Sequence, residues 1–409
     1  MQVDGALIVA VGPADSLDGD VERFPGAAIV PGFVNAHSHL EYAVYAGFGD
    51  GLPFATWLDL HIGRKRRLDW EATVAIARLG AAECLASGIT TVADASFTGA
   101  AAAAADELGL RAIVHLEVFG DGPGELATRF EPNRDRVAAA FSDRVRLGVS
   151  PHAPYSCSPE LYRECLALGL PVATHLAETA AEREWLLEGT GVLAAYRELF
   201  PPSPGETGIR LLAREGLLGP SVTAAHCVAV DREEIELLAR HDVGVVHCPR
   251  SNALLGCGIA PVAELRAAGV RLGLGTDSPA STPSFDIFDE LRMAIALARA
   301  HTGDAGSLTA AEALYLATLG SAEAIGLAGE VGSLTPGKRA DLCVVELSGS
   351  PFDPIDDPAV AVVLGGAPAR VCRTIVDGMT RYARGGSGWP ELRRSAAAAR
   401  ERMLAPSSR

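Results

Sequence analysis

Between residues 28 and 281 the chain carries a succession of apolar runs of strand length: AIVPGFVNAHSHL, GITTVADASF, RAIVHLEVFG, RVRLGVSPHAPYS, PVATHLAET, SVTAAHCV, DVGVVHCPRSN and VRLGLGTDSPAS. Each is separated from the next by an Ala-, Leu- and Glu-rich stretch of helical period. Near-continuous apolar runs alternating with amphipathic helices are the pattern of βα units around a parallel sheet. Eight such units close into an α/β fold of the (β/α)8 TIM-barrel type, whose reactive groups sit at the carboxyl ends of the strands. Such a barrel takes roughly 250 residues, so a chain of 409 residues has room for one attachment.

The two ends supply that attachment. DGALIVAVGPADSL near the start, and GSLTPGKRADLCVVELS with AVAVVLGGAPARVCRTIVDG near the finish, read as short strands broken by Gly, Pro and Asp turns. Both termini are expected to join in one small β-sandwich beside the barrel. The resulting division is residues 1–30 for the first part of the sandwich, 31–330 for the barrel, 331–385 for the second part and 386–409 for a C-terminal helix and frayed tail. That basic helix is expected to pack on its own subunit or on a second copy of the chain, which makes a homodimer one candidate partner.

Polar residues are unevenly placed in the eight runs. His37, His39, His152, His175, His226, His247 and Asp277 all fall where an apolar strand gives way to a loop, so they gather at one rim. Strand alternation puts His37 and His39 on one face together with Asn35. Taken alone, the pair is either a metal grip or two satisfied polar residues at a strand end. A mononuclear site needs ligands from several strands and one open position, and His175 in THLAE and Asp277 in LGTDSP supply the missing pair. Three imidazoles and a carboxylate suit one divalent metal ion, Zn2+ foremost with Fe2+ as the alternative, over Ca2+ or Mg2+, which prefer oxygen shells. His226, in TAAHCV, is a further ligand or a partner of the attacking water, the second being favoured; Glu178 is placed to carry protons. The plain alternatives are a core histidine for His226, a helix-start acid for Glu178 and a turn former for Asp277.

HSH, HLAE, HC and GTDS in that order, with a sandwich split between the termini and the return GSLTPGKRADLCVV, resemble the amidohydrolase superfamily over nearly the whole chain. Within it the pattern is similar to the cytosine, guanine and S-adenosylhomocysteine deaminase branch with its chlorohydrolase relatives, and nearest there to the aminodeoxyfutalosine deaminases of menaquinone biosynthesis. The resemblance implies His37, His39, His175 and Asp277 as metal ligands, His226 and Asp277 acting on the water, and Glu178 as proton shuttle. It implies an aminohydrolase that releases ammonia from a 6-aminopurine nucleoside derivative such as aminodeoxyfutalosine, S-adenosylhomocysteine, methylthioadenosine or adenosine. Such proteins usually carry a further strand ahead of DGALIVAVGP, so this chain departs from the pattern by starting late, and an incomplete sandwich is expected. Free-base deamination, triazine-type dechlorination and a non-catalytic metal-binding barrel are the competing readings. Binuclear members bridge two metals through a lysine on the fourth strand, whereas that run here has none, and neither Lys65 nor Lys338, the only lysines, is expected near it.

Substrate contacts are sought among the remaining rim residues. His152 in SPHAPYS resembles the histidine that meets the substrate ring in this branch, with Ser158 as the cap of the helix that follows. The stretch GDGLPFATWLDLHIGRKRRLDW, with Trp57 and His61 one helical turn apart, forms either a lid over a purine nucleoside or an exposed basic turn after a packed helix. Glu117 is a candidate for hydroxyl or amine recognition or an ordinary strand-end acid, Arg250 and Asn252 are candidates for a polar substrate tail, and Ser281 is a further contact in the Asp277 loop.

The formal charge of −16 argues against nucleic acid or an anionic membrane as partner, leaving a small-molecule substrate. No apolar run has transmembrane length and no secretory leader pattern opens the chain, so a cytoplasmic enzyme with eight reduced, structural cysteines is expected.

Overall fold

The computed structural model describes residues 1–405 apart from 18, 123 and 387; the expected frayed tail beyond residue 405 lies outside the described residues. The expected strands all form: β4 (Phe33–Ser38), β5 (Ile89–Ser96), β6 (Arg111–Val118), β7 (Val145–Pro151), β8 (Val172–Leu176), β9 (Val222–His226), β10 (Gly244–His247) and β11 (Arg271–Leu274). They lie side by side in chain order as one parallel eight-stranded sheet. A parallel bridge between Ser38 and Asp277 joins the last strand back to the first, with the Asp277 amide donating to the His37 carbonyl at 3.0 Å. This is a closed (β/α)8 barrel.

The terminal expectation also holds. β1 (Gln2–Asp4) and β2 (Leu7–Ala10) make an antiparallel pair, and β3 (Ala27–Pro31) joins β12 (Leu342–Glu346), β13 (Val371–Val376) and β14 (Met379–Ala383) in a four-stranded sheet. A bridge from Leu7 to Arg339 links the two layers. Arg111, at the start of β6, anchors this unit to the barrel: its Nε donates to Asp341 Oδ2 at 2.8 Å, and its Nη2 reaches Asp377 Oδ1 at 2.5 Å.

Every residue of β5 and β6 is buried, as strands covered on both faces must be. Outward-facing Val92, Leu116 and Val149 pack under helices such as α2 (Trp70–Ala86) and Ala100–Leu108. Inward-facing Val34, Ala36, Ala93, Ile113 and Val246 meet Ile325 and Leu327 and close the floor of the barrel with apolar atoms. His37, His39, His175, His226 and Asp277 gather at the opposite end, the mouth.

Helix starts follow capping rules. Ser158 accepts from the Leu161 amide, and Thr309 and Glu312 make a reciprocal capping box. The C-terminal helix Pro390–Leu404 buries Ala396, Ala399 and Met403 and lies along α2. All eight cysteines are free. No helix among the described residues is long and apolar enough to cross a membrane.

Candidate metal centre and active site

The first element of the site is a bulge. Asn35 pairs with Val92 but Ser38 pairs with Asp94, so β4 carries one residue more than β5 over this stretch. Strict alternation predicts Asn35 on the face of the two histidines; the extra residue breaks that alternation. Asn35 instead stays with outward-packed Val92 and exchanges hydrogen bonds with Thr276 at 2.7 and 2.9 Å, while His37 and His39 turn into the mouth. Asp94, buried at the end of β5, then fixes the turn: its Oδ2 accepts from Ser38 Oγ at 2.9 Å and from the Leu40 amide at 2.7 Å.

Four non-glycine residues with positive φ surround the mouth: Ala177 (51°), His226 (78°), Cys227 (46°) and Asp277 (55°). Each such residue costs on the order of 1–3 kcal/mol and persists only where its surroundings fix it. Here the Cys227 amide is held by the Leu176 carbonyl at 3.0 Å and the Asp277 amide by His37, so the backbone kinks at the strand ends and aims His226 and Asp277 inward.

His37, His39 and His175 present ring nitrogens that all lie within 4.8 Å of one another. The Nδ1 atoms of His39 and His175 face the carbonyls of Ala95 (2.8 Å) and His152 (2.9 Å). With both Nδ1–H groups donating there, the two Nε2 atoms carry lone pairs that face each other at 3.3 Å. Facing lone pairs repel unless a cation lies between them. His37 Nε2 is buried without a hydrogen-bond partner, and Asp277 Oδ1 stands 3.6 Å from it and 3.4 Å from His39 Nε2. Donors about 2.0–2.1 Å from a tetrahedral ion lie about 3.3–3.4 Å apart, which these separations approach. The residues present fit a divalent metal.

Electrostatics agree. Burial, reinforced by neighbouring imidazoles, lowers His39 to about 3 and holds His175 well below its ordinary range, so both offer lone pairs at neutral pH. Burial opposes ionisation of Asp277, but the close rings of His37 and His39, 3.6 and 3.4 Å from its Oδ1, outweigh it and keep the carboxylate well below its usual range. Ser251 Oγ at 2.6 Å and Ser281 Oγ at 2.8 Å donate to its Oδ2, leaving Oδ1 toward the histidines.

Glu178 lies beyond β8 with an oxygen 3.8 Å from His226 Nε2. Burial, with Asp277 second, pushes its carboxyl up to about 8. His226 Nδ1 contacts Asn252 Oδ1 at 2.9 Å, which fixes the proton on Nδ1 and leaves Nε2 facing Glu178.

The structure redistributes the expected substrate contacts. Arg250 is engaged elsewhere: its Nε donates to Glu290 at 2.5 Å and its Nη2 to the Ser284 carbonyl at 2.6 Å, so it braces the loop after β10 instead of reaching a substrate tail. Asn252 Oδ1 meets His226 Nδ1, and Ser281 Oγ donates to Asp277 Oδ2. His152 remains at the mouth, its ring 4.8 Å from that of His175 and its Nδ1 2.8 Å from Ser156 Oγ. His61 is buried between Trp57 (4.4 Å) and Tyr45 (5.5 Å) and supports its helix from within. Trp57 donates to the Ala280 carbonyl at 3.2 Å, which ties helix α1 (Phe54–Lys65) to the Asp277 loop. Glu117, near the end of β6, groups with His152 and His175, their donor atoms within 4.8 Å of one another.

Lys65 corrects another expectation. Strand β7 indeed has no lysine, but α1 folds back over the mouth and brings in Lys65, whose ammonium donates to Tyr42 Oη at 2.6 Å and lies 3.6 Å from the Phe97 ring centroid. Its charge acts on Glu117 and on His152, the residue that ends β7's run. A residue separated from its neighbours by a whole helix leaves no periodic signal in the sequence; only the scarcity of lysine singled it out. Asp94 and Asn252 carried a signal, a polar residue at the end of an apolar run, that the histidines overshadowed.

The model of the amidohydrolase family matches residues 28–380. The chain is 36% identical over 390 residues to a 5-methylthioadenosine/S-adenosylhomocysteine deaminase of Syntrophobacter fumaroxidans, covering 91% of this chain and 85% of that one. It is 34% identical to a 5'-deoxyadenosine deaminase of Methanothermobacter thermautotrophicus, covering 86% and 81%. Among solved structures, a zinc-bound adenosine deaminase from Xanthomonas campestris superposes with a TM-score of 0.82 at 31% identity, covering 93% of this chain and 87% of that one. Atrazine chlorohydrolase from Arthrobacter aurescens superposes at 0.81 with 25% identity, covering 98% and 94%.

Proposed function

This chain belongs to the amidohydrolase family, hydrolases that act on carbon–nitrogen bonds and hold a divalent metal, and from that premise we propose that it deaminates a 6-aminopurine nucleoside. The observation that carries the reading is Glu178: a buried carboxyl with a raised pKa, 3.8 Å from His226 and beside the convergent imidazoles. Relatives named for deamination of adenosine derivatives support the nucleoside. The substrates to which the reading extends are adenosine, 5'-deoxyadenosine, methylthioadenosine, S-adenosylhomocysteine and aminodeoxyfutalosine.

His37, His39, His175 and Asp277 would hold the ion, with Zn2+ as its proposed identity given the imidazole-rich donor set. A divalent cation there supplies Lewis acidity, bringing the pKa of water from about 15.7 toward about 7 in the best zinc sites. Asp277 Oδ1 and His226 Nε2 orient the water and take its proton. Glu178, protonated near neutral pH, gives its proton to the ring nitrogen next to the amino-bearing carbon, which makes that carbon electrophilic. The water oxygen bonds to the carbon, the amine collects the proton that Asp277 and His226 took and leaves as ammonia, and the remaining hydroxyl proton returns to Glu178 as the carbonyl forms. One C–O bond forms and one C–N bond breaks, with no change in oxidation state.

The test is ammonia release together with the ultraviolet shift of adenine to hypoxanthine, measured on zinc-loaded protein against the five nucleosides, adenine and guanine, with chloride release as the readout for atrazine. Turnover of nucleosides well above that of free bases and atrazine is expected. Turnover confined to a free base or to the chlorotriazine overturns the reading.

A further inference from the structure

We propose that Glu117 and Lys65 together form a recognition subsite for the vicinal hydroxyls of the substrate's sugar, an inference that rests on the nucleoside reading above. Glu117 is 4% exposed, yet its oxygens accept no hydrogen bond among the described residues and open onto the mouth. A buried carboxylate without a donor is costly unless a ligand supplies one. Lys65 is in the complementary situation. An ammonium has three donors, and its hydrogen bond to Tyr42 uses one of them, while the Phe97 and Tyr42 rings, at 3.6 and 4.8 Å, hold the head group in place.

The signs decide the chemical class. A ligand ammonium would be welcomed by Glu117 but repelled by Lys65, and a ligand carboxylate the reverse. A neutral hydroxyl satisfies both, donating to the carboxylate while accepting from the ammonium, and two carboxylate oxygens match two neighbouring hydroxyls. Position agrees with a sugar. Glu117 lies within 4.8 Å of donor atoms on His152 and His175, whereas the proton-carrying Glu178 stands beside His226. A ring protonated by Glu178 would therefore extend its substituent over His175 toward the Glu117 and Lys65 side.

The experiment compares kcat/KM for adenosine, 2'-deoxyadenosine and 3'-deoxyadenosine in zinc-loaded wild type, Glu117→Gln and Lys65→Met. Wild type is expected to lose at least about ten-fold for each missing hydroxyl, the scale of an unpaired buried polar group, mostly through KM. In Glu117→Gln that penalty should shrink to about three-fold or less, with adenosine itself weakened. Lys65→Met should narrow the same ratio and serves alone if Glu117→Gln does not fold. A purely structural charge pair would lower stability and leave the ratio as in wild type; that result overturns the proposal, as does a wild type indifferent to the hydroxyls. In both of these outcomes nucleosides are still deaminated, so they are distinguishable from failure of the nucleoside reading, in which no nucleoside turns over and this subsite falls with it.

Discussion

Asn252 would act on the proposed chemistry through His226. Its Oδ1, 2.9 Å from His226 Nδ1, sets which ring nitrogen carries the proton. Asn252→Ala should leave metal content intact and KM steady while kcat falls roughly ten- to hundred-fold, a split that steady-state kinetics with elemental analysis resolves. Glu178→Gln should also keep its metal, because the ligands are untouched, and lose about 10²–10⁴-fold in turnover; wild-type turnover in that variant would remove Glu178 from the proton route. His175→Ala deletes one of three convergent imidazoles and should purify with a small fraction of the wild-type metal. At this scale the sequence was informative about ligands and much less so about their supports. An imidazole ending an apolar strand is conspicuous, but whether Arg250 turns toward substrate or toward Glu290 depends on a helix some forty residues away.

Among the elements, β4 departs furthest from its sequence pattern. Period-two alternation places the HxH pair with Asn35, and only the pairing with β5 reveals the added residue that separates them. Bulges leave no mark in a single apolar run, since the surplus residue is itself an ordinary strand residue. The eight strands and the cap at Ser158 were legible because burial on two faces and local hydrogen bonding each write a short-range pattern. Closure of β11 on β4 did not, and it depends on Gly275, where a Cβ would stand 2.8 Å from both the His37 Cβ and the His37 carbonyl oxygen. Gly275→Ala should destabilise the fold by about 1–3 kcal/mol, as overpacking does, and weaken metal binding by displacing His37. Denaturant midpoints and competitive chelation measure the two effects.

For the whole molecule, the terminal sheets share apolar core with the barrel and are tied to it by the buried pair of Arg111 and Asp341. Arg111 and Asp341 side chains are 3% and 1% exposed, and burial raises Asp341 above its ordinary value against the pull of Arg111. Arg111→Met strands that carboxylate and should cost about 3–5 kcal/mol. The sign of its pH dependence follows. With Arg111 gone, the folded-state pKa of Asp341 rises further above its unfolded value, the folded chain binds more protons, and stability is lost as pH rises. Urea denaturation should therefore find the variant nearer to wild type at pH 5 than at pH 8. The sequence announced that both ends form strands, but not this pair, whose members stand far apart in the chain. The bridge of Ser38 to Asp277 has a temporal meaning as well. On the ribosome, the three imidazoles proposed as donors emerge long before Asp277, whose carboxylate reaches them only when the last strand docks on the first. Ion capture at full affinity is thus a late event in biogenesis, a seal set after the ring of strands has shut.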